Sequence, residues 1–211
     1  MKRFEIITEA DARVLEIGET VALMPGGHVT PLAADTLKAR RVTVLSDDRL
    51  ERADDNLAPP ADIRRVAIGS DHGGLALKAA IVGALRGKGL SVDDLGTETT
   101  EPVDYPDTAS RVARAVARGE ADAGIVIDGA GIGSAIAANK VNGVRAAVCH
   151  DATNARYARQ HNGANVLSLG ATLVTVPEAL EVVNVWLGTP MTEARYIRRL
   201  AKIRDLERAE G

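Results

Sequence analysis

Aromatic residues are almost missing from this chain: one Trp, three Tyr and one Phe, 2% of 211 residues. A surface that stacks nucleic-acid bases needs several such rings. A formal net charge of −3 adds no general attraction for a phosphate backbone, so nucleic acid is not an expected partner. Cys149 is the only cysteine, which excludes an intramolecular disulfide, and with four histidines the chain shows no zinc-ligand spacing. No apolar run approaches the roughly 20 residues of a membrane span, so no membrane partner is expected. The N-terminus, Met-Lys-Arg-Phe-Glu-Ile-Ile-Thr-Glu-Ala, carries acids where a signal peptide carries none. A cytoplasmic location is the expectation.

What remains is an ordinary globular balance, 45% hydrophobic and 26% charged, in a chain long enough for one sizeable domain plus an appendage. Residues 1–61 read as the appendage. Thr8-Glu-Ala-Asp11 opens a short helix, Thr20 to Met24 is strand-like, and Pro25-Gly-Gly27 reads as a turn. Thr30-Pro31 is a helix start, a capping hydroxyl followed by proline at the first helical position. That helix is expected to reach about Arg40, followed by a strand over Arg41 to Leu45. Ser46 to Asp62, rich in Asp, Arg, Pro and Ala, reads as a linker. Large apolar residues are too few here to promise a core of the segment's own.

Residues 62–211 alternate strand and helix. Strands are expected at Val66–Ile68, Ser91–Leu95, Ile125–Ile127, Val144–Cys149 and Asn165–Leu169. Helices are expected over 75–88, 105–118, 134–138, 151–160, 177–187 and 192–208. Such alternation implies a five-stranded parallel sheet covered on both faces, an α/β Rossmann-like three-layer αβα sandwich. Right-handed crossovers put every strand-to-helix turn at one edge of the sheet. Asp71-His72, Asp128 to Gly133, and His150-Asp151 all fall on such turns and are expected to converge on one crevice.

The densest signal is Gly124-Ile-Val-Ile-Asp-Gly-Ala-Gly-Ile-Gly-Ser134. An apolar strand ends on a carboxylate, Asp128. Gly129, Ala130, Gly131, Ile132 and Gly133 then lead into an alanine-rich helix. A strand, a glycine turn and a helix start point backbone N–H groups at a phosphate or an oxyanion. The plain alternative is a tight turn with glycines for packing. The G-x-G-x-G spacing is neither the dinucleotide fingerprint nor a Walker loop.

Other constellations carry two readings each. Asp71-His72-Gly-Gly either donates to a sugar or phosphate oxygen or is a capping Asp beside a solvated His. His161-Asn162-Gly163 either binds a ligand or closes a helix. Arg195 and Arg199, four apart, either clamp a phosphate or form the solvated face of a helix whose Ile197, Leu200 and Ile203 point inward. Lys140, after Asn139, could equally be structural.

Taken in order, Ile68-Gly-Ser-Asp-His-Gly-Gly74, Asp104-Tyr-Pro-Asp107, Gly129 to Lys140, Gly143-Val-Arg-Ala146, Cys149-His-Asp151, Ala158-Arg-Gln-His-Asn162 and Ala194-Arg-Tyr-Ile-Arg-Arg199 form a combination. With these the chain resembles the type B ribose-5-phosphate isomerases and their relatives, the galactose-6-phosphate isomerase subunits, over about residues 64–205. The resemblance implies a Rossmann-like fold, aldose–ketose isomerisation of a phosphorylated sugar without metal or nucleotide, and sites shared by the two subunits of a dimer, or of a dimer of dimers. It also implies roles. Asp71 and His72 contact substrate, and the backbone of Gly129, Ala130, Gly131, Ile132 and Gly133 meets the enediolate. His161 helps open the ring, Asn162 binds a substrate oxygen, and Arg195 and Arg199 hold the phosphate.

The chain departs from the family pattern at four places. Asp128 stands where Cys is the base of a Cys-Gly-Thr-Gly turn, and Ala130 stands for its Thr. Thr172 replaces the Arg of a Gly-Ala-Arg pattern, and Tyr196 replaces the His of Arg-His-x-x-Arg. A carboxylate is a competent base for this chemistry, so Asp128 is the expected base and ribose 5-phosphate/ribulose 5-phosphate the expected pair. The alternatives are a tetrose or hexose phosphate, or a non-catalytic or hetero-oligomeric sugar-phosphate-binding subunit. A nucleotide-binding Rossmann module would need a glycine spacing that Gly69–Gly74 lacks. Thr8-Glu-Ala-Asp11 and Val29-Thr-Pro-Leu-Ala33 are weakly similar to N-terminal segments of bacterial microcompartment enzymes. That likeness implies docking to a shell or cargo partner, with encapsulation. The alternative is a decorative subdomain.

Overall fold

In the computed structural model, residues 2–46 and 57–209 are described. Contacts divide the chain into two compact units, Met1–Asn56 and Leu57–Gly211. Of the expected linker, Ser46 ends a strand, 47–56 lie outside the described residues, and 57–62 belong to the second unit.

The first unit runs β1 (Arg3–Ile7), α1 (Glu9–Val14), β2 (Thr20–Val29), α2 (Pro31–Ala39) and β3 (Thr43–Ser46). Its sheet is three-stranded and parallel, in the order β1-β2-β3. Thr8 caps α1 in a reciprocal box with Asp11. Thr30 precedes α2 without a side-chain cap; its hydroxyl instead donates to the Ile7 carbonyl at 3.3 Å. Besides that missing cap, two expectations are corrected here. Pro25-Gly-Gly27 does not end the strand: β2 continues through a bulge, so that Phe4 pairs with Leu23 but Ile6 with His28. A Cβ on Gly27 would lie 2.5 Å from the Glu5 carbonyl oxygen, so only glycine lets the strands close there. The unit also has its own core, with Ile7, Ala12, Leu15, Val21, Ala33 and Leu37 all buried. Two short helices laid on three strands close around alanines, and few large side chains are needed.

The second unit runs β4 (Arg65–Ser70), a single 3₁₀ turn (His72–Gly74), α3 (Leu75–Gly87), β5 (Ser91–Asp94), α4 (Tyr105–Ala117), β6 (Ala123–Asp128), α5 (Ile132–Ala138), β7 (Ala146–Val148), α6 (Ala152–Asn162), β8 (Val166–Gly170), α7 (Val176–Gly188) and α8 (Ala194–Ala209). Its five strands are all parallel, in the order β5-β4-β6-β8-β7. Side chains alternate across the sheet. Val66, Ile68, Ile125, Ile127, Leu167 and Leu169 meet α3, α6 and α7 on one face. Ala67, Val126 and Val166 meet α4 and α5 on the other. The three-layer α/β sandwich is therefore as expected. From β4 the chain first steps outward to β5 and then back past β4 to β6, which opens a topological switch point between β4 and β6.

The start of this unit is tied down by two arginines. Arg145 donates to the Leu57 carbonyl at 2.9 Å and to the Gly163 carbonyl at 2.8 Å. Arg159 donates to the Pro60 carbonyl at 3.0 Å and lies 5.0 Å over the Trp186 ring. Burial, with the like charge of Arg145 adding to it, pulls Arg159 down to about 10. Among the described residues, no helix is long and apolar enough to cross a membrane.

Candidate active site

The switch point brings the ends of β4 and β6 together: the Asp71 N–H donates to the Ile127 carbonyl at 3.1 Å. Asp71 caps the 3₁₀ turn, its Oδ1 accepting from Gly73 and Gly74 N–H at 3.0 and 3.1 Å. His72 is exposed, and its Nδ1 accepts from the Val103 N–H at 3.3 Å. Neutral His72 then carries its proton on Nε2, a donor free to face a ligand. The loop that supplies Val103 is fixed by buried Lys78, whose ammonium reaches Asp94 at 2.8 Å and the Thr97 carbonyl at 2.7 Å.

Asp128 ends β6 with 5% of its surface exposed. Its Oδ1 accepts from Ala130 N–H at 2.9 Å and from Gly131 N–H, and its Oδ2 accepts from Ser134 N–H at 2.7 Å. Three of the turn's donors thus face the protein's own carboxylate. The first-turn N–H groups of Ile132 and Gly133 have no acceptor within the helix and remain for a ligand. This narrows the expectation that the whole of Gly129 to Gly133 presents N–H groups outward.

The turn is rigid for identifiable reasons. Gly131 sits at φ +78°, a left-handed conformation, and a Cβ there would lie 2.9 Å from the Leu169 carbonyl carbon. Ser168 Oγ donates to the Gly131 carbonyl at 2.5 Å, and Thr172 Oγ1 donates to the Gly129 carbonyl at 2.7 Å. Thr172, where the resemblance implies an arginine, here ties down the loop. Tyr105 was missed by residue-by-residue reading. A Cβ on Gly133 would come within 2.5 Å of its ring, so the ring lies flush on the glycine turn. The signal was present in Asp104-Tyr-Pro-Asp107, where a half-exposed aromatic stands at a proline-marked helix start.

His150-Asp151 does not join this crevice. Strand β8 separates β7 from β6, and Asp151 caps α6 by accepting from Thr153 and Asn154 N–H at 2.7 and 2.8 Å. Beside it, burial pushes the Cys149 thiol up to about 12, with the charge of Asp151 adding to it.

The other expected residues lie at the opposite edge of the sheet. Gly124 pairs with Val166 and Asp128 with Gly170, so Asn162, before β8 begins, is at least ~13 Å from Asp128 along the strands. There the His161 ring stacks between Tyr157 at 4.7 Å and Tyr196 at 4.5 Å. Asn162 Nδ2 donates to the Tyr157 carbonyl at 3.1 Å, and Gly163, at φ +55°, is the α6 C-cap. Arg195 lies 4.8 Å over the Tyr196 ring, donates to its hydroxyl at 2.9 Å and pairs with Glu193 at 2.6 Å. The Tyr196 hydroxyl and the Glu193 carboxylate together raise Arg195 above its usual value. Arg199 lies 5.6 Å from the same ring. A cleft of about 590 Å³ opens near this edge, lined by Asn139, Lys140, Arg145, Asn162, Ile203 and Glu207 among others. Its residues Asn139 and Lys140 follow the C-terminal end of α5, the end away from the glycine turn. The expected site residues therefore fall into two groups, Asp71/His72/Asp128–Gly133 and His161/Asn162/Arg195/Arg199, at opposite edges of one sheet.

Comparison with known proteins adds the context. The Ribose/Galactose Isomerase family matches residues 66–203. Ribose-5-phosphate isomerase B of Escherichia coli is 44% identical over 145 residues, 69% of this chain and 97% of that protein. D-erythrulose-4-phosphate isomerase of Pectobacterium atrosepticum is 40% identical over 147 residues, 69% of this chain and 96% of that protein. The solved ribose-5-phosphate isomerase B of Clostridium thermocellum superposes with a TM-score of 0.69 at 47% identity, over 70% of this chain and 99% of that one.

Proposed function

Since this chain belongs to the ribose/galactose isomerase family, we propose that it interconverts ribose 5-phosphate and ribulose 5-phosphate through an enediolate, with Asp128 as the base. The observation that carries this reading is the Asp128 carboxylate, fixed at the end of β6 beside two open helix-start amides. A carboxylate offers about four lone-pair positions. Three are engaged, and the one left on Oδ2 is the proton acceptor.

In the open-chain aldose, Asp128 takes the proton from the carbon next to the aldehyde. That C–H electron pair becomes the C=C bond, and the carbonyl π pair moves onto oxygen. The N–H groups of Ile132 and Gly133 meet that oxyanion, a contribution typically worth about 3 kcal/mol per donor. The proton of the neighbouring hydroxyl then passes to this oxyanion, the electron pair it leaves forms the new carbonyl, and the C=C pair takes the proton back from Asp128 at the former aldehyde carbon, which gives the ketose. His72 Nε2–H and the Asp71 turn face the sugar. His161 assists ring opening, Asn162 binds a sugar oxygen, and Arg195 and Arg199 bind the phosphate.

The two half-sites lie too far apart to act on one sugar within one chain, so the complete site takes one half from each of two copies. A homodimer, alone or as a dimer of dimers, supplies two such sites by symmetry. The first unit stands outside this chemistry. With its own core, it serves as a docking or encapsulation element for a microcompartment shell or cargo partner.

A second substrate is favoured by one observation, the P. atrosepticum relative that is a D-erythrulose-4-phosphate isomerase at 40% identity. Assay of the purified chain, without added cofactor, against ribose 5-phosphate, D-erythrulose 4-phosphate and hexose 6-phosphates tests the assignment. The expected result is the highest kcat/KM on ribose 5-phosphate. A preference of tenfold or more for the tetrose reassigns the substrate, and no turnover on any sugar contradicts the proposal.

A further inference from the structure

Tyr196 is the point where the distal half-site meets. It is 5% exposed and sits between three residues implied in sugar-phosphate binding. Its ring stacks on His161 at 4.5 Å and 29°, its face carries the Arg195 and Arg199 guanidiniums at 4.8 and 5.6 Å, and its hydroxyl accepts from Arg195 at 2.9 Å. The column continues through His161 to Tyr157 at 4.7 Å and 18°. In a chain with three tyrosines, two stand on either side of one imidazole.

We infer that Tyr196 is a positioning residue that couples phosphate capture by Arg195 and Arg199 to the orientation of His161. The inference rests on the proposed isomerase reading for its substrate, but its geometry stands alone. A guanidinium has five donors. Arg195 gives Nε to Glu193 and one Nη2 proton to Tyr196, which leaves three donors for a ligand. Holding an arginine over an aromatic face limits its rotamers before the phosphate arrives, which lowers the ordering penalty of binding. The opposite constraint acts on His161, whose ring cannot tilt while it lies between two phenols. A phosphate seated on the arginines therefore finds the imidazole already at a fixed angle to the sugar. The tyrosine reaches both functions through one rigid ring, and an aliphatic residue of similar volume would fill the space without either effect.

The test uses the full chain with Tyr196→Phe, Tyr196→Leu and Tyr196→His. Turnover of ribose 5-phosphate, calorimetric binding of inorganic phosphate and Tm are measured for each. Phe keeps the ring and removes the hydroxyl. It is expected to raise KM and the phosphate Kd about threefold to tenfold, the range of one hydrogen bond, while most of kcat remains. Leu removes the ring and is expected to lower kcat at least about tenfold at temperatures well below its Tm. His restores a flat ring and is expected to recover kcat relative to Leu. A Phe variant with wild-type KM and phosphate Kd overturns the inference, as does a folded Leu variant with wild-type kcat. If Leu does not fold, the Phe measurements decide. If the wild type does not turn over ribose 5-phosphate but the phosphate Kd shifts as stated, the substrate reading fails and the positioning role stands.

Discussion

Asp128 and Ser134 face one another across the first turn of α5, with the Ser134 N–H 2.7 Å from Oδ2 of the carboxylate. The other oxygen takes the N–H groups of Ala130 and Gly131. One side chain therefore shapes the turn that it is proposed to work beside.

This geometry decides which substitution is informative. Asp128→Asn is nearly isosteric, but its NH₂ group would oppose N–H donors at one oxygen position or the other. An unmatched buried polar group costs about 1–3 kcal/mol, so loss of activity in Asn is expected and does not separate base from scaffold. Comparison with Asp128→Cys separates them, because a thiol also fails to replace the carboxylate's acceptors for the three N–H groups but, as thiolate, can still take a proton. If Asp128 is the base, kcat/KM of the Cys variant is expected to exceed that of Asn by about 100-fold or more. Equal loss in both variants assigns Asp128 to the turn alone.

The start of the second unit gives a prediction about truncation. A chain beginning at Leu57 retains both carbonyls that accept from Arg145 and Arg159, and it is expected to fold and turn over substrate. A chain beginning at Arg64 leaves the buried Arg159 guanidinium and the partly buried Arg145 guanidinium each short of an acceptor. Hydrogen bonds from charged donors contribute about 1.5–3 kcal/mol each, so its Tm is expected to fall by roughly 10 °C or more relative to the longer truncation. Equal Tm values by calorimetry would show that these two contacts do not hold the unit.

Much of this was legible in the sequence, and the gaps have physical causes. The helix starts at Thr8 and Asp151 and the glycine turn after Asp128 are local, set by residues within a few positions, and the structure has them where expected. The bulge at Pro25-Gly-Gly27 depends on β1 passing alongside, which no local pattern encodes. Proximity of Tyr105 to Gly133 is likewise a contact between separate elements. His161 and Arg195 join the site of Asp128 only through the resemblance, which shares that site between two subunits. Within one chain His161 stands near the end of a helix that returns to the opposite edge of the sheet. His150 reaches the right edge but lies beyond β8, because strand order, unlike alternation, is not written in periodicity.

Cys149 supplies a prediction in alkaline solution. Its folded value, about 12, lies above the roughly 8.5 of an unfolded thiol. Above that unfolded value the unfolded chain releases a proton that the folded chain keeps. The contribution is therefore fully present below about pH 8.5 and is lost as pH rises toward 12, at about 1.4 kcal/mol per pH unit. Denaturant unfolding between pH 8 and 11 is expected to show this decline, and Cys149→Ala to flatten it. Parallel curves for the two proteins would place the alkaline instability elsewhere. Folded Cys149 is also expected to resist alkylation at pH 8 until denaturant is added.

Complementation between two inactive chains tests the shared site most directly. A chain with Arg199→Ala keeps an intact Asp128 half, and a chain with Asp128→Asn keeps an intact arginine half. After subunit exchange, confirmed by mass spectrometry of the intact assemblies, half the dimers are mixed and each mixed dimer holds one whole site. Recovery of about a quarter of wild-type turnover on ribose 5-phosphate is expected, from two preparations that are each nearly inactive. No recovery in a mixture with verified exchange would contradict the shared site, because the residues proposed to act together would then not meet across two copies.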